Sequence, residues 1–259
     1  AKAGAQKAEA VALKKQFVDG AVANGVDTYV ADELFEKILF FSGYGFNKSH
    51  AVAYSMVSYQ CAWLMTYYEE EWLCAYLESM SHNPRKRSKA FSEVRSLGYK
   101  IVPLDINHAT KKWTILPGKK FMPSFLSCKG VGTSAISEIV KNRPYKDVES
   151  MLWNEDGTWR HSKFNKKALD ALIRVRAFES MEIVGENRTF NSYKQFHDIV
   201  IEHSTSLKKT LKKDPFRGRN RYKELLIETC DTEEWSRGEL VSNSINLFGS
   251  FDATTVVDL

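Results

Sequence analysis

Apolar residues recur at helical spacing through residues 4–23, where Leu13, Phe17, Val18 and Val22 share one face and Asn24-Gly25 supplies a C-terminal stop. A second helix is predicted from Thr28 to about Phe41, with Val30, Leu34, Ile38 and Leu39 turned inward. A third begins near Ser49 and runs to about Tyr67, and a fourth covers roughly Glu70 to Met80. The acidic triplet Glu69-Glu70-Glu71 suits the positive end of that fourth helix. Asn83-Pro84 opens a fifth helix, closed by Gly98.

The pattern then changes. Tyr99–Val102, Lys112–Ile115 and Lys120–Met122 read as short strands or extended segments, separated by prolines and by Pro117-Gly118. Two helix pairs follow, one around Gly130-Val131-Gly132 and one over Asn165 to about Arg176. The stretch from Arg188 to Gly249 is helical again, with breaks expected at Asp214-Pro215 and Arg217-Gly218. The expected fold class is mainly α, with a small extended connector.

Composition narrows the function classes. The chain has 259 residues, 37 Lys and Arg against 32 Asp and Glu, and a net charge of +5. The longest apolar region, Ala51 to Met65, is too short and too polar to span a membrane, and no membrane partner is expected. Cys61, Cys74, Cys128 and Cys230 have no CxxC spacing, which argues against a zinc site or a disulfide framework and for a reducing, cytoplasmic compartment. The chain starts at Ala1, and Thr254–Leu259 reads like a strand just starting, so a piece of a longer or processed polypeptide is expected. Charge is concentrated in two places. The run Lys208–Lys223 holds eight basic residues and one acid, and a second cluster spans Arg160 to Arg176 with Lys163, Lys166, Lys167 and Arg174. Each reads either as a solvated face or as a nucleic-acid surface.

Two motifs carry chemistry. Gly43-Tyr44-Gly45-Phe46-Asn47-Lys48-Ser49-His50-Ala51-Val52-Ala53-Tyr54 runs from a glycine-hinged aromatic turn into an apolar helix. It reads either as an anion site beside a helix N-terminus or as an ordinary junction capped by Ser49. Leu126–Ile139, with Lys129-Gly130-Val131-Gly132-Thr133 at its centre, fits a helix-hairpin-helix, the alternative being a plain helical turn with glycine at a bend. Its glycines permit a tight turn, its amides face a phosphate oxygen, and Val131, Ala135 and Ile139 pack inward. Contact of this kind is insensitive to base sequence and strongly salt-dependent.

The first motif resembles the GYGFNKSHAxAY signature of the C-family bacterial replicative polymerases, the DNA polymerase III alpha subunits. Its surroundings resemble the family in order: Phe17-Val18-Asp19-Gly20-Ala21 with Asn24-Gly25 before it, and Tyr59-Gln60-Cys61-Ala62-Trp63-Leu64 after it. Gly98–Asn107 is similar to the family's G-x-x-I-x-P-P-D-I-N, with Leu104 for the second proline. Lys129–Gly132 falls at its K-G-V-G hairpin, and Asn165–Phe178 at its second element, where Arg176 replaces a glycine. Glu69 replaces a proline, and the match thins beyond residue 180, which suggests a divergent, viral or split member.

The resemblance implies helical fingers at residues 1–98, an extended connector at 99–125, a tandem helix-hairpin-helix duplex-binding domain at 126–180, and a basic helical segment at 181–259. It implies that Lys48, His50, Tyr44 and Tyr54 face the incoming dNTP, and that Lys129, Gly130, Val131, Gly132, Thr133, Lys166 and Lys167 grip primer-template DNA. The family's palm carboxylates, a D-x-D with a third aspartate, have no counterpart here. The catalytic residues and the Mg2+ they bind are therefore expected outside this chain, on a palm-bearing partner or the rest of the polypeptide. Alone, the chain is expected to be inactive. The implied setting is a bacterial or virus-infected bacterial cell. Ser244-Ile245-Asn246-Leu247-Phe248 also resembles a sliding-clamp-binding pentapeptide, with serine for glutamine. The alternatives are a non-catalytic helix-hairpin-helix accessory protein and a repair enzyme using Lys146 and Asp147.

Overall fold

The computed structural model describes residues 2–42, 48–81, 83–211 and 213–249. The chain forms two compact units, Ala1–Trp63 and Leu64–Leu259.

The first unit holds helices α1 (Lys2–Ala23) and α2 (Thr28–Ser42) and most of α3 (Lys48–Tyr67). Gly25, at φ +84°, ends α1 as its sequence predicts. The buried face of α2 differs from the expected one. Val30, Leu34, Ile38 and Leu39 are exposed, whereas Ala31 and Phe35 are buried, with the Phe35 ring 5.4 Å from Phe17. Two antiparallel helices meet along a single line, so only the residues on that line are covered. Lys14 fastens its edge, with Nζ 3.0 Å from Asp32 and 2.6 Å from Glu36. Helix α3 begins at Lys48, which places Ser49 inside the first turn instead of at the cap, and none of its residues is buried.

In the second unit, α4 (Glu69–Met80) and α5 (Pro84–Ser96) cover a sheet of β1 (Lys100–Ile101), β2 (Thr114–Leu116) and β3 (Lys120–Met122). The strand order is β1-β3-β2, with β1 parallel and β2 antiparallel to β3. Leu73, Leu77, Phe91, Val94, Trp113 and Phe121 form a core between helices and sheet.

A larger core unites the rest of this unit. Its elements are α6 (Thr133–Lys141), α7 (Val148–Leu152), α8 (Lys166–Arg174), α9 (Tyr193–His197) with a π-helical continuation over Asp198–Glu202, α10 (Ser204–Leu207), α11 (Arg217–Glu228) and α12 (Arg237–Phe248). The mainly α fold class holds. Ser236 and Glu239 close a capping box at the start of α12. The expected break at Arg217-Gly218 is instead the start of α11. Gly218 is there for close approach: a Cβ on it would lie 1.9 Å from the Leu207 carbonyl oxygen. Arg176 keeps the backbone that a glycine would adopt, at φ +59°, so α8 ends regularly despite the substitution.

Among the described residues no helix is long and apolar enough to cross a membrane, and no cluster of three His, Cys, Asp or Glu side chains could hold a metal.

Candidate nucleic-acid interface

A short 3-10 turn, Phe125–Ser127, leads into the first hairpin, with Phe125 and Cys128 buried beneath it. Gly130 turns the chain at φ +106° and packs on α8, where a Cβ would meet Ala171 at 3.4 Å and the Lys167 carbonyl at 3.6 Å. Gly132 does something else. Its φ is −93°, it precedes α6 as N-cap, and a Cβ there would meet open space. Only the first of the two glycines therefore uses the left-handed region. Val131, Ala135 and Ile139 are buried, as their spacing predicts.

This packing leaves the amides of Gly130, Gly132, Thr133 and Ser134 without a backbone acceptor among the described residues, at the positive end of a nine-residue helix. Lys129, Gly132, Thr133 and Ser134 are exposed around them. The Lys129 amide itself is taken, donating to the Leu247 carbonyl at 2.8 Å. Arg87, buried from α5, donates to the carbonyls of Ser127, Ser81 and Phe248. Burial pulls its pKa down from the ordinary arginine value. The hairpin is thus braced from behind by α5 and by the end of α12, and its front is open.

The second element is built differently. Asn165 caps α8, accepting from the Ala168 amide at 3.1 Å. Ahead of it, the successive amides of Ser162, Lys163 and Phe164 all donate to the carboxylate of Glu138 on α6, the first two at 3.0 and 2.7 Å. Burial alone would raise the Glu138 pKa, but these three hydrogen bonds outweigh it and hold the carboxyl below its ordinary value. His161 is buried beside it, Nδ1 3.7 Å from the carboxylate, and burial lowers its pKa. Glu138 sits at an unremarked helical position, and nothing in the sequence marks its partners 24 to 26 residues downstream.

The basic cluster from Arg160 to Arg176 divides in two. Arg160 donates to the Ser150 carbonyl at 2.6 Å, and Arg174 is bound to Asp170 at 2.8 Å, so both serve the fold. Lys163, Lys166 and Lys167 are exposed. Asp147 is the N-cap of α7, accepting from the Ser150 amide at 2.7 Å. Asp105, in the D-I-N segment, is buried and accepts from the amides of Asn107 and His108 at 2.9 and 3.0 Å.

In the first unit, Tyr44 and the Gly43–Phe46 turn lie outside the described residues. Lys48, His50 and Tyr54 are exposed on α3. The His50 ring packs on Tyr54, centroids 4.3 Å apart. At 3.6 residues per turn, Lys48 and His50 leave the helix on different sides. Convergence on one phosphate would therefore rely on the length of the Lys48 side chain.

Residues 98–191 match the helix-hairpin-helix motif family. The chain is 36% identical over 181 residues to DNA polymerase III subunit alpha of Xylella fastidiosa (strain 9a5c), covering 70% of this chain and 15% of that protein. The corresponding protein of Neisseria meningitidis (strain Z2491) is 33% identical over 174 residues, covering 67% and 15%. That of Pseudomonas aeruginosa (strain PAO1) is 31% identical over 179 residues, covering 69% and 15%. In sequence and in its hairpin module the chain is thus similar to DNA polymerase III subunit alpha, and it spans about 15% of the length of these relatives.

Proposed function

We propose that this chain is the fingers and duplex-gripping portion of a DNA-directed DNA polymerase acting in DNA replication. The observation that carries the reading is the Gly130–Ser134 turn, whose open amides head α6 beside Lys129 and Lys167. Such a turn takes a backbone phosphate oxygen and holds duplex product without reading its bases. Lys166 and Lys167, exposed at the start of α8, add positive charge, with Lys167 against Gly130. In the fingers, Lys48 and His50 neutralise the triphosphate of the incoming dNTP, and Tyr44 and Tyr54 border the nascent pair. Mg2+ and the carboxylates that hold it come from a palm outside this chain, so the chain alone binds duplex and does not extend primers.

Sliding-clamp binding through Ser244–Phe248 would first require the last turn of α12 to leave the core. Leu247 and Phe248 pack there, and their carbonyls hold Lys129 and Arg87.

Gly132→Glu tests the hairpin. The position has room for a side chain, so the variant folds, and it places a carboxylate where the phosphate would sit. Duplex affinity at low salt is expected to fall on the order of tenfold or more for every sequence, with a shallower salt dependence. Unchanged binding by fluorescence anisotropy would refute the hairpin as the DNA grip.

A further inference from the structure

The basic run Lys208–Lys223 lies beyond the helix-hairpin-helix match at residues 98–191. The fold sorts its charges. Arg219 is bound to Glu149 at 2.9 Å, and Arg221 to Glu224 and Glu228 at 2.8 and 2.7 Å. These arginines brace the fold. Lys208 has no carboxylate partner among the described residues. Its ammonium lies 4.8 Å from the centroid of the Trp159 ring.

The backbone beneath Lys208 is fixed from several sides. Leu207 is fully buried, and its carbonyl accepts from the Trp153 indole at 3.2 Å. Gly218 lies against that same carbonyl. Gly157, in the turn between Trp153 and Trp159, comes so close to Pro215 that a Cβ would lie 2.6 Å from its carbonyl oxygen. Leu207, Pro215 and Gly218 are thus seated on the 153–159 turn or against its partners, and the seat leaves Lys208 exposed.

The Trp159 ring under Lys208 lies just ahead of the Ser162–Asn165 loop that leads into α8. Although the Lys208 side chain is exposed overall, partial desolvation where it lies on Trp159 lowers its pKa, and repulsion from Lys166 lowers it further. Lys166 and Lys167 open α8, and Lys167 backs Gly130 in the hairpin. Lys208 thus sits over the segment that leads into Lys166 and Lys167, and Lys167 backs the hairpin that carries the open amides. Two ammonium groups held near each other without a counter-charge repel, and an anion between them relieves that repulsion.

We propose that Lys208 is a further DNA-backbone ligand, and that residues 204–211 widen the duplex footprint beyond the hairpin. The inference rests on the hairpin reading above and adds a phosphate contact from a segment outside the family match.

The 259-residue chain would be titrated with a labelled duplex over a range of salt, as wild type, Lys208→Ala, Lys208→Glu, Lys208→Arg and Gly132→Glu. Lys208→Ala is expected to weaken binding about threefold to tenfold at all sequences and to lower the slope of log K against log salt by about 1. Lys208→Glu should weaken it further, and Lys208→Arg should restore it. Thermal melting checks that each variant is folded. Loss of binding in Gly132→Glu with no change in either Lys208→Ala or Lys208→Glu would overturn the Lys208 contact and leave the hairpin standing. Unchanged binding in Gly132→Glu, or no duplex binding by the wild type, would overturn both.

Discussion

Two loops lead into nine-residue helices, Lys129–Gly132 into α6 and His161–Asn165 into α8. Each gathers backbone amides at the positive end of a helix, where an anion is stabilised. In the first loop the amides of Gly130, Gly132, Thr133 and Ser134 stay open. In the second, Glu138 fills the place of the anion, taking three successive amides. The carboxylate comes from α6, the helix that the first loop opens. The tandem motif therefore leaves one nest open and uses the other to lock its halves together. A resemblance to a tandem hairpin does not by itself give two DNA contacts. What each loop can do depends on whether the protein already supplies the anion.

The sharpest way to break this comparison is Glu138→Ala. It removes the acceptor of three amides, of which that of buried Phe164 is the hardest to rehydrate. A loss of about 2 kcal/mol in unfolding free energy is expected. Substitution of exposed Glu155 should change stability by less than about 0.5 kcal/mol. Added sulfate should stabilise Glu138→Ala more than wild type, because the vacated nest can then take an external anion. Equal denaturation midpoints for the Glu138 and Glu155 variants would mean that the second loop does not depend on its internal anion.

The contrast between the loops also shows what the sequence makes legible. Gly130, Val131, Ala135 and Ile139 fall at positions whose spacing announces a turn and an inward face, because those constraints are local. Glu138 carries no such signal. Its partners are backbone amides, which have no residue type to recognise, and chain folding alone brings them near. The same limit explains α2. Periodicity gives an apolar stripe, but which part of it is covered depends on the partner helix, and Ala31 and Phe35 lie on the line that α1 covers. It explains Gly218 as well, read as a break from Arg217-Gly218 although the glycine is needed for an approach to Leu207, 11 residues away in sequence. Motif wording made the resemblance to DNA polymerase III subunit alpha legible, but it could not distinguish an open nest from a filled one.

A smaller effect comes from acid. The folded-state pKa of His161 is lowered by burial, so the unfolded chain takes up its proton first as pH falls below 6.5. Stability should begin to decline there. The carboxyl of Glu138 is also held low in the fold, so its contribution is complete above 4.5 and is lost as pH falls through its lower folded value. Two steps are expected in the pH dependence of the unfolding free energy. His161→Leu should flatten the upper step relative to wild type, and Glu138→Gln the lower. Parallel curves for wild type and His161→Leu between about pH 7 and pH 5 would remove the histidine from the second loop's acid response.

The smallest expected effect concerns how the two elements obtain a left-handed residue. The first uses Gly130, which takes φ +106° without strain. The second places Arg176 at φ +59°, at a cost of about 1 kcal/mol for a residue with a Cβ. Arg176 offsets part of this cost through its side chain, whose guanidinium lies 5.0 Å from the Tyr193 ring centroid and 3.3 Å from Glu179. Those contacts are each worth about 0.5 kcal/mol. Arg176→Gly removes the strain and the contacts together, and it frees the unfolded chain, so stability should stay within about 0.5 kcal/mol of wild type. Arg176→Ala keeps the strain and loses the contacts, and should be about 1 kcal/mol less stable than Arg176→Gly. If alanine and glycine proved equal at this position, the left-handed backbone would carry no cost there, and side-chain contacts alone would explain why arginine can stand in place of glycine.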